Sequence, residues 1–342
     1  MQKIIHSKEY HSLSRLFDEI ELFYAYTSEK TLQGQHALVK PTFDNAFKPL
    51  QSLFNEYGDN SYNFNFKSKQ YNKLNLPKYD NNNVILCFSG GKDSAATAVI
   101  LKEYGYNVYL YHVKGINRAY PDEWKRAQEI ADYLELPIYF DTFQFQGKLD
   151  FPEHPMKNMI IVNGALQYGI KQNIGIQVAT GNFLDGQIDH GIFYTSGDDM
   201  PEMWDAYENI INHIIPDFHI FLTLSDTNET LEILSSDMKL LELCQSCIGA
   251  HRFRQWNHDN NEKKYHIHLM KNRCGSCWKC ALEYIYLADH DKLNYDKDYY
   301  RHCLEVLKKS AKKDFEEDFT TWENLWYDYF YYDIKESKYL GG

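Results

Sequence analysis

The chain has 342 residues, 44% of them hydrophobic and 25% charged, which supplies a sizeable core and sets it apart from disordered polymers. Its 48 acidic against 36 basic side chains leave a formal charge of −12, which argues against the broad basic face of a protein that grips tRNA or DNA over many phosphates. No window approaches the roughly 20 apolar residues of a membrane span, and MQKIIHSKEYHSL has no signal-peptide core, so a soluble, cytoplasmic protein with small-molecule or protein partners is expected.

Residues 1–80 carry helical patterns such as SLSRLFDEIELFYAY, then a polar and aromatic stretch that reads as an extended connector ending at the turn Asp80-Asn81-Asn82-Asn83. From residue 84 the pattern changes. VILCF is a short β-type run, and DSAATAVILKEYG after a glycine turn predicts a helix with Asp93 or Ser94 at its start and Gly105 at its end. NVYLYHV (107–113) predicts a second buried strand, and Pro121-Asp122-Glu123 opens a helix to Leu134. LPIYFDT (136–142) predicts a third strand, residues 157–172 a helix and IGIQVATG (174–181) a fourth strand. Strands that alternate with helices imply parallel βαβ units and a doubly wound α/β sheet. Ligands of such sheets sit beyond the carboxyl ends of the strands, where both SGGKDS and Thr180-Gly181-Asn182 are expected. Beyond Tyr194 the chain reads as helices and loops, with a heavily aromatic helical segment over 295–342.

SGGKDS is not a Walker loop. That motif needs GxxxxGK followed by a hydroxyl residue, whereas here Gly90 and Gly91 are adjacent, Leu86 stands five places before Gly91, and Asp93 follows Lys92. The stretch still has the chemistry of an anion site. Two glycines allow a sharp turn and close approach, and the following helix aims its amino-terminal dipole at a ligand. Ser89 and Ser94 add hydroxyls and Lys92 a charge, while Asp93 would repel phosphate unless a cation bridges the two, so Mg²⁺ is expected there.

Strand–SGGKDS–helix at the first βα turn resembles the SGGxDS loop of the N-type ATP pyrophosphatases (the PP-loop superfamily, adenine nucleotide alpha-hydrolase-like). The resemblance implies an ATP site at Ser89, Gly90, Gly91, Lys92, Asp93 and Ser94, completed by His112 and Gly181. It further implies cleavage between the α and β phosphates, adenylation of a substrate oxygen, and displacement of AMP by a nucleophile, with Lys92, Asp93 and Ser94 in the catalytic set.

The seven cysteines stand at 87, 244, 247, 274, 277, 280 and 303, and an odd, clustered set in a cytoplasmic chain points to metal rather than disulfides. RCGSCWKC brings Cys274, Cys277 and Cys280 around one small ion, with Cys244 and Cys247 as the nearest fourth donors. Four thiolates make a closed structural zinc site, and an iron–sulfur cluster uses the same ligands. His266 and His268 alternate as on a strand and are not expected to be ligands. The SGGxDS loop followed by one Cys, a gap and CxxCxxC resembles the 7-cyano-7-deazaguanine synthase (QueC) family over much of residues 84–290. Its Ser-Cys pair matches Ser246-Cys247, which implies zinc on Cys247, Cys274, Cys277 and Cys280. Its Arg-Asn pair matches Lys157-Asn158 and its Asp-Cys-Arg-Pro-Glu-Phe segment matches Asp198 to Met203, so Asn158 and Asp198 are implied substrate contacts.

That family activates 7-carboxy-7-deazaguanine with ATP and adds ammonia to reach the nitrile preQ0. This chain departs from it at Lys92, Met200 and Lys157, and by the segments before the loop and after the cysteines. The departures resemble divergent relatives in bacterial antiviral (CBASS) systems, in which a protein amine replaces ammonia. The expected organisation is therefore an N-terminal extension over 1–80, an α/β ATP pyrophosphatase domain over 81–225, a zinc region over 226–294 and an aromatic helical segment over 295–342. The outer segments are natural places to grip a partner polypeptide, and a homodimer is compatible with the sequence. The biosynthetic synthase, a tRNA thiolase or lysidine-type ligase, and a non-catalytic zinc scaffold are the competing readings.

Overall fold

The computed structural model describes residues 11–28, 41–57, 62–115, 123–142, 157–183, 201–225, 227–244 and 278–314. Contacts divide the chain into two compact units, one drawn from residues 1–89, 97–116 and 135–224, the other from residues 90–96, 117–134 and 225–342.

The first unit holds a parallel five-stranded sheet flanked by helices, an α/β arrangement compatible with the doubly wound fold. Its strands are β3 (Asn83–Cys87), β4 (Asn107–Lys114), β5 (Ile138–Thr142), β6 (Val178–Phe183) and β7 (Ile220–Ser225), in the order β5-β4-β3-β6-β7. β3 sits at the centre because Val84, Ile85 and Leu86 are apolar in succession, so the strand is covered on both faces, as parallel strands are. β5 lies at an edge, and none of its five residues is fully buried. β3 has its sequence successor β4 on one side and β6 on the other, with Cys87 paired to both Tyr111 and Thr180. The order therefore reverses at β3, and a reversal of this kind opens a crevice at the carboxyl ends of the two strands that flank it.

Helix α3 (Lys92–Glu103) follows β3 and ends as the glycine signal predicts: Gly105 N–H donates to Lys102 O and Tyr106 N–H to Leu101 O, a Schellman closure. Helix α5 (Lys157–Lys171) packs on β3, and α6 (Pro201–Asn212) starts with proline and Glu202 in its first turn. Inside the core Tyr207 Oη donates to Asn163 Oδ1 at 2.7 Å, a polar link between these helices.

Three expectations are corrected. The chain beyond Tyr194 contains β7 as well as helices, a six-residue strand IFLTLS preceded by the turn residues Pro216-Asp217. β6 starts at Val178 rather than Ile174, because Ile174 and Gly175 are still tied to Gly169 O at the exit of α5. It then runs through Phe183, so Thr180-Gly181-Asn182 lies inside the strand instead of beyond it. Ahead of β3 the expected helix over SLSRLFDEIELFYAY is present, whereas the stretch after it is more than a connector. Helix α1 (His11–Ser28), β1 (Thr42–Asp44), α2 (Lys48–Tyr57) and β2 (Asn65–Lys67) form a packed aromatic body with a two-stranded parallel sheet. Phe23, Phe43 and Phe64 meet edge to face with centroids 5.0 to 5.3 Å apart. Buried Glu19 of α1 ties this body together, accepting from Tyr71 Oη at 2.7 Å and from the Asp44 N–H while pairing with Lys69 Nζ at 2.7 Å.

The second unit contains the first turn of α3, helix α4 (Glu123–Leu134), α7 (Thr227–Ser235), α8 (Met238–Leu243), α9 (Trp278–Asp289) and α10 (Lys297–Asp314). α4 and α8 are linked by Tyr133 Oη on the Asp237 carboxylate at 2.8 and 3.0 Å. α9 and α10 pack through Tyr284, Tyr299, Tyr300 and Cys303.

Close packing of α5 on β3 rests on Gly169, where an added Cβ would lie 2.1 Å from Ile85 Cδ1 and 2.4 Å from Gly175 O. Replacing a helical glycine by alanine gains about 1 kcal/mol of propensity, but overpacking against backbone costs typically 1–3 kcal/mol. The clash wins. Gly169→Ala should lower the urea midpoint, and an unchanged or raised midpoint would show that α5 does not press on β3 at this point.

Candidate functional site

The candidate site starts where β3 ends. Phe88 extends the ladder by one bond, its N–H donating to Tyr111 O at 2.8 Å. The exposed Ser89 follows, then buried Gly90 and half-buried Gly91, and α3 begins at Lys92. Gly90 takes φ +78°, a left-handed conformation that L side chains reach only with strain, and its α-carbon faces the backbone of Ala127 on α4. Gly91 caps the helix, its carbonyl accepting from Ala95 N–H at 3.1 Å and from Ser94 Oγ at 3.2 Å. The Ser94 hydroxyl, offered to phosphate in the sequence reading, is thus engaged with the cap and is 4% exposed.

The two charged residues of the loop meet. Lys92 is buried, and its ammonium sits 2.6 Å from Asp93 Oδ1. The cation on the carboxylate is therefore supplied by the adjacent residue. Asp93 keeps 35% of its side chain exposed, so a hydrated divalent cation can still reach it. The loop offers the start of a helix, a lysine and a carboxylate, a donor set that suits a phosphate chain accompanied by Mg²⁺.

His112, at the carboxyl end of β4, is 1% exposed with Nδ1 2.8 Å from Phe88 O. Its ring meets Phe140 of β5 edge to face at 5.5 Å, and Lys114 Nζ lies 4.4 Å from the centroid of the same Phe140 ring. Burial first, and Lys114 in addition, lower its pKa from the usual 6.5, with the Phe88 bond acting the other way. Cys87, half-buried beside the loop, has its thiol pushed up from the usual range by burial, which favours the protonated form.

Gly181 is half-buried within β6, and Asn158 lies in the first turn of α5. Cys280 is fully buried in the first turn of α9, while Cys247, Cys274, Cys277 and Asp198 lie outside the described residues. Among the described residues, no three His, Cys, Asp or Glu side chains are grouped to hold a metal. Cys244, the other candidate donor, is buried with its thiol on Leu240 O at 3.2 Å. Sequence reasoning missed the parts that shape the loop from outside it: the Phe88 carbonyl, Ala127 and the Phe140 ring. Ala127 and Phe140 stand far from the loop in sequence, and the Phe88 carbonyl matters only through His112, 24 positions away, so none of them leaves a local signal. No protein-family model matches the chain, and no curated protein matches it.

Two outcomes follow from this geometry. Because the folded pKa of His112 is depressed, its stabilising contribution is complete above about pH 6.5 and is lost as pH falls. The urea midpoint of the wild type should thus fall more between pH 7 and pH 5 than that of His112→Asn; parallel profiles would contradict the assignment. Gly90→Ala should cost roughly 1–2 kcal/mol, the strain of a left-handed residue with a Cβ, since the space beside Ala127 admits the methyl group at 3.4 Å. An unchanged urea midpoint would show that the left-handed turn carries no strain.

Proposed function

We propose that the chain is an ATP-dependent ligase of the N-type pyrophosphatase kind, related to the deazaguanine synthases, that adenylates a carboxylate and passes it to an amine. The observation that carries this reading is the run Ser89 to Ser94, which leaves the strand at which the parallel sheet reverses its order and turns at a left-handed Gly90 into a helix. That setting favours the pyrophosphate end of ATP, since the spacing is wrong for a Walker lysine.

In the proposed reaction a carboxylate oxygen attacks the α-phosphorus and the bond to the β-phosphate breaks, releasing pyrophosphate. An amine nitrogen then attacks the acyl carbon, loses a proton and expels AMP. Lys92 and the start of α3 stabilise charge that develops on the leaving pyrophosphate, and Asp93 would hold Mg²⁺ there. Cys247, Cys274, Cys277 and Cys280 would hold a structural zinc ion, whose chemistry is to fold the segment rather than to react. 7-Carboxy-7-deazaguanine is the carboxylate the cysteine pattern favours. A polypeptide amine is preferred to ammonia as acceptor, because the chain carries a packed aromatic body ahead of the loop that the adenylation itself does not require.

The test is incubation of the full chain with ATP, Mg²⁺ and 7-carboxy-7-deazaguanine, with ammonium or a candidate polypeptide, and mass spectrometry of the products. A deazaguanine amide on the polypeptide is expected, lost about 100-fold or more in Asp93→Ala. Efficient release of free nitrile with ammonium would transfer the assignment to the biosynthetic synthase. Absence of any carboxylate-dependent AMP would overturn the ligase reading.

A further inference from the structure

We infer that His112 is a positioning residue for the nucleotide loop, acting through the carbonyl of Phe88 rather than on the nucleotide. In its kinetic part this rests on the ATP reading above; in its structural part it does not.

The sheet supplies Phe88 with one backbone bond, from its N–H to Tyr111 O at 2.8 Å, and the strand ends one residue earlier at Cys87. The Phe88 carbonyl is the last backbone group before Ser89, and Nδ1 of His112 reaches it at 2.8 Å. A carbonyl only accepts, so the ring carries its proton on Nδ1, and the neutral form follows from the lowered pKa. Phe88 is 3% exposed and His112 1% exposed, so water is poorly placed to replace either partner. The side chain thereby extends the β3–β4 ladder by one bond, up to the point where the chain departs for Gly90.

The ring itself is held in place. His112 is paired in register with Phe140, whose ring it meets at 74°, and Lys114 sits over the same Phe140. A side chain with one donor fixed on a backbone carbonyl and its plane set against an aromatic ring has little freedom to swing toward a ligand. A buried carbonyl without a donor is costly, so removing the imidazole would release the departure point of the loop.

Asparagine tests this directly, because its amide nitrogen stands where Nδ1 of histidine does, whereas the nitrogen of glutamine is one methylene farther out. Hydrogen exchange would be followed on the peptide covering residues 86–92 in the nucleotide-free full chain, with circular dichroism to verify folding. His112→Asn should exchange like the wild type and His112→Ala about tenfold faster, as one neutral hydrogen bond allows. Should His112→Ala not fold, His112→Gln replaces it and should also exchange faster than His112→Asn. Equal exchange in the wild type and the donor-less variant, or in Asn and the donor-less variant, overturns the inference. In AMP formation the KM for ATP should rise about tenfold in His112→Ala with kcat little changed, and His112→Asn should restore it. If His112→Asn is as impaired as His112→Ala, histidine meets the nucleotide itself and the positioning role is wrong. If the wild type forms no AMP, the ATP reading fails while the exchange comparison still decides the role of His112.

Discussion

The left-handed turn at Gly90 is the constraint on which the candidate site depends. β3 leaves the sheet at Cys87 and Phe88, whereas its neighbours β4 and β6 run on to Lys114 and Phe183. Within four residues the chain must begin a helix at Lys92. A residue with a side chain would strain at φ +78°, and Gly90 takes it freely. The result is a short loop closed at its far end by Gly91, whose carbonyl accepts the Ala95 N–H and the Ser94 hydroxyl. Everything chemical in the site hangs from that backbone path, including the Lys92–Asp93 contact at its end.

Strand order gives the turn its significance. With β4 on one side of β3 and β6 on the other, the strand order reverses at β3, the place where ligands of such sheets bind. Gly169 contributes from below, because its missing side chain lets α5 lie against Ile85 of β3 and keeps the central strand buried on both faces.

Much of this was legible in the sequence, and the rest was not, for reasons that differ by region. The runs VILCF, NVYLYHV and LPIYFDT are apolar enough, and their intervening helices are capped clearly enough, that periodicity alone predicts β3 to β5. β7 escaped although the signals are present, an apolar run IFLTL with Pro216-Asp217 ahead of it, because the region beyond Tyr194 is read as helices and loops throughout. The register of β6 escaped because Ile174 looks like a strand residue and is held instead by a helix-end bond to Gly169 O. In the N-terminal region, Phe64 and Phe66 sit among polar residues, so the strand that carries Phe66 and pairs with β1 read as a connector. At the site, the loop residues were visible as a motif, whereas the His112–Phe88 bond joins positions 24 apart and exists only because β3 and β4 pair in register. Pairing of Lys92 with Asp93 was hidden for a different reason: adjacent opposite charges in sequence do not say whether their side chains meet.

The central claim is that the loop binds the pyrophosphate end of ATP and that the bond broken lies between the α and β phosphates. Phosphorus NMR of ATP turned over by the purified chain, with Mg²⁺ and the deazaguanine carboxylate, reports that bond directly. AMP and pyrophosphate in equal amounts are the predicted products, and ADP with inorganic phosphate would contradict the account.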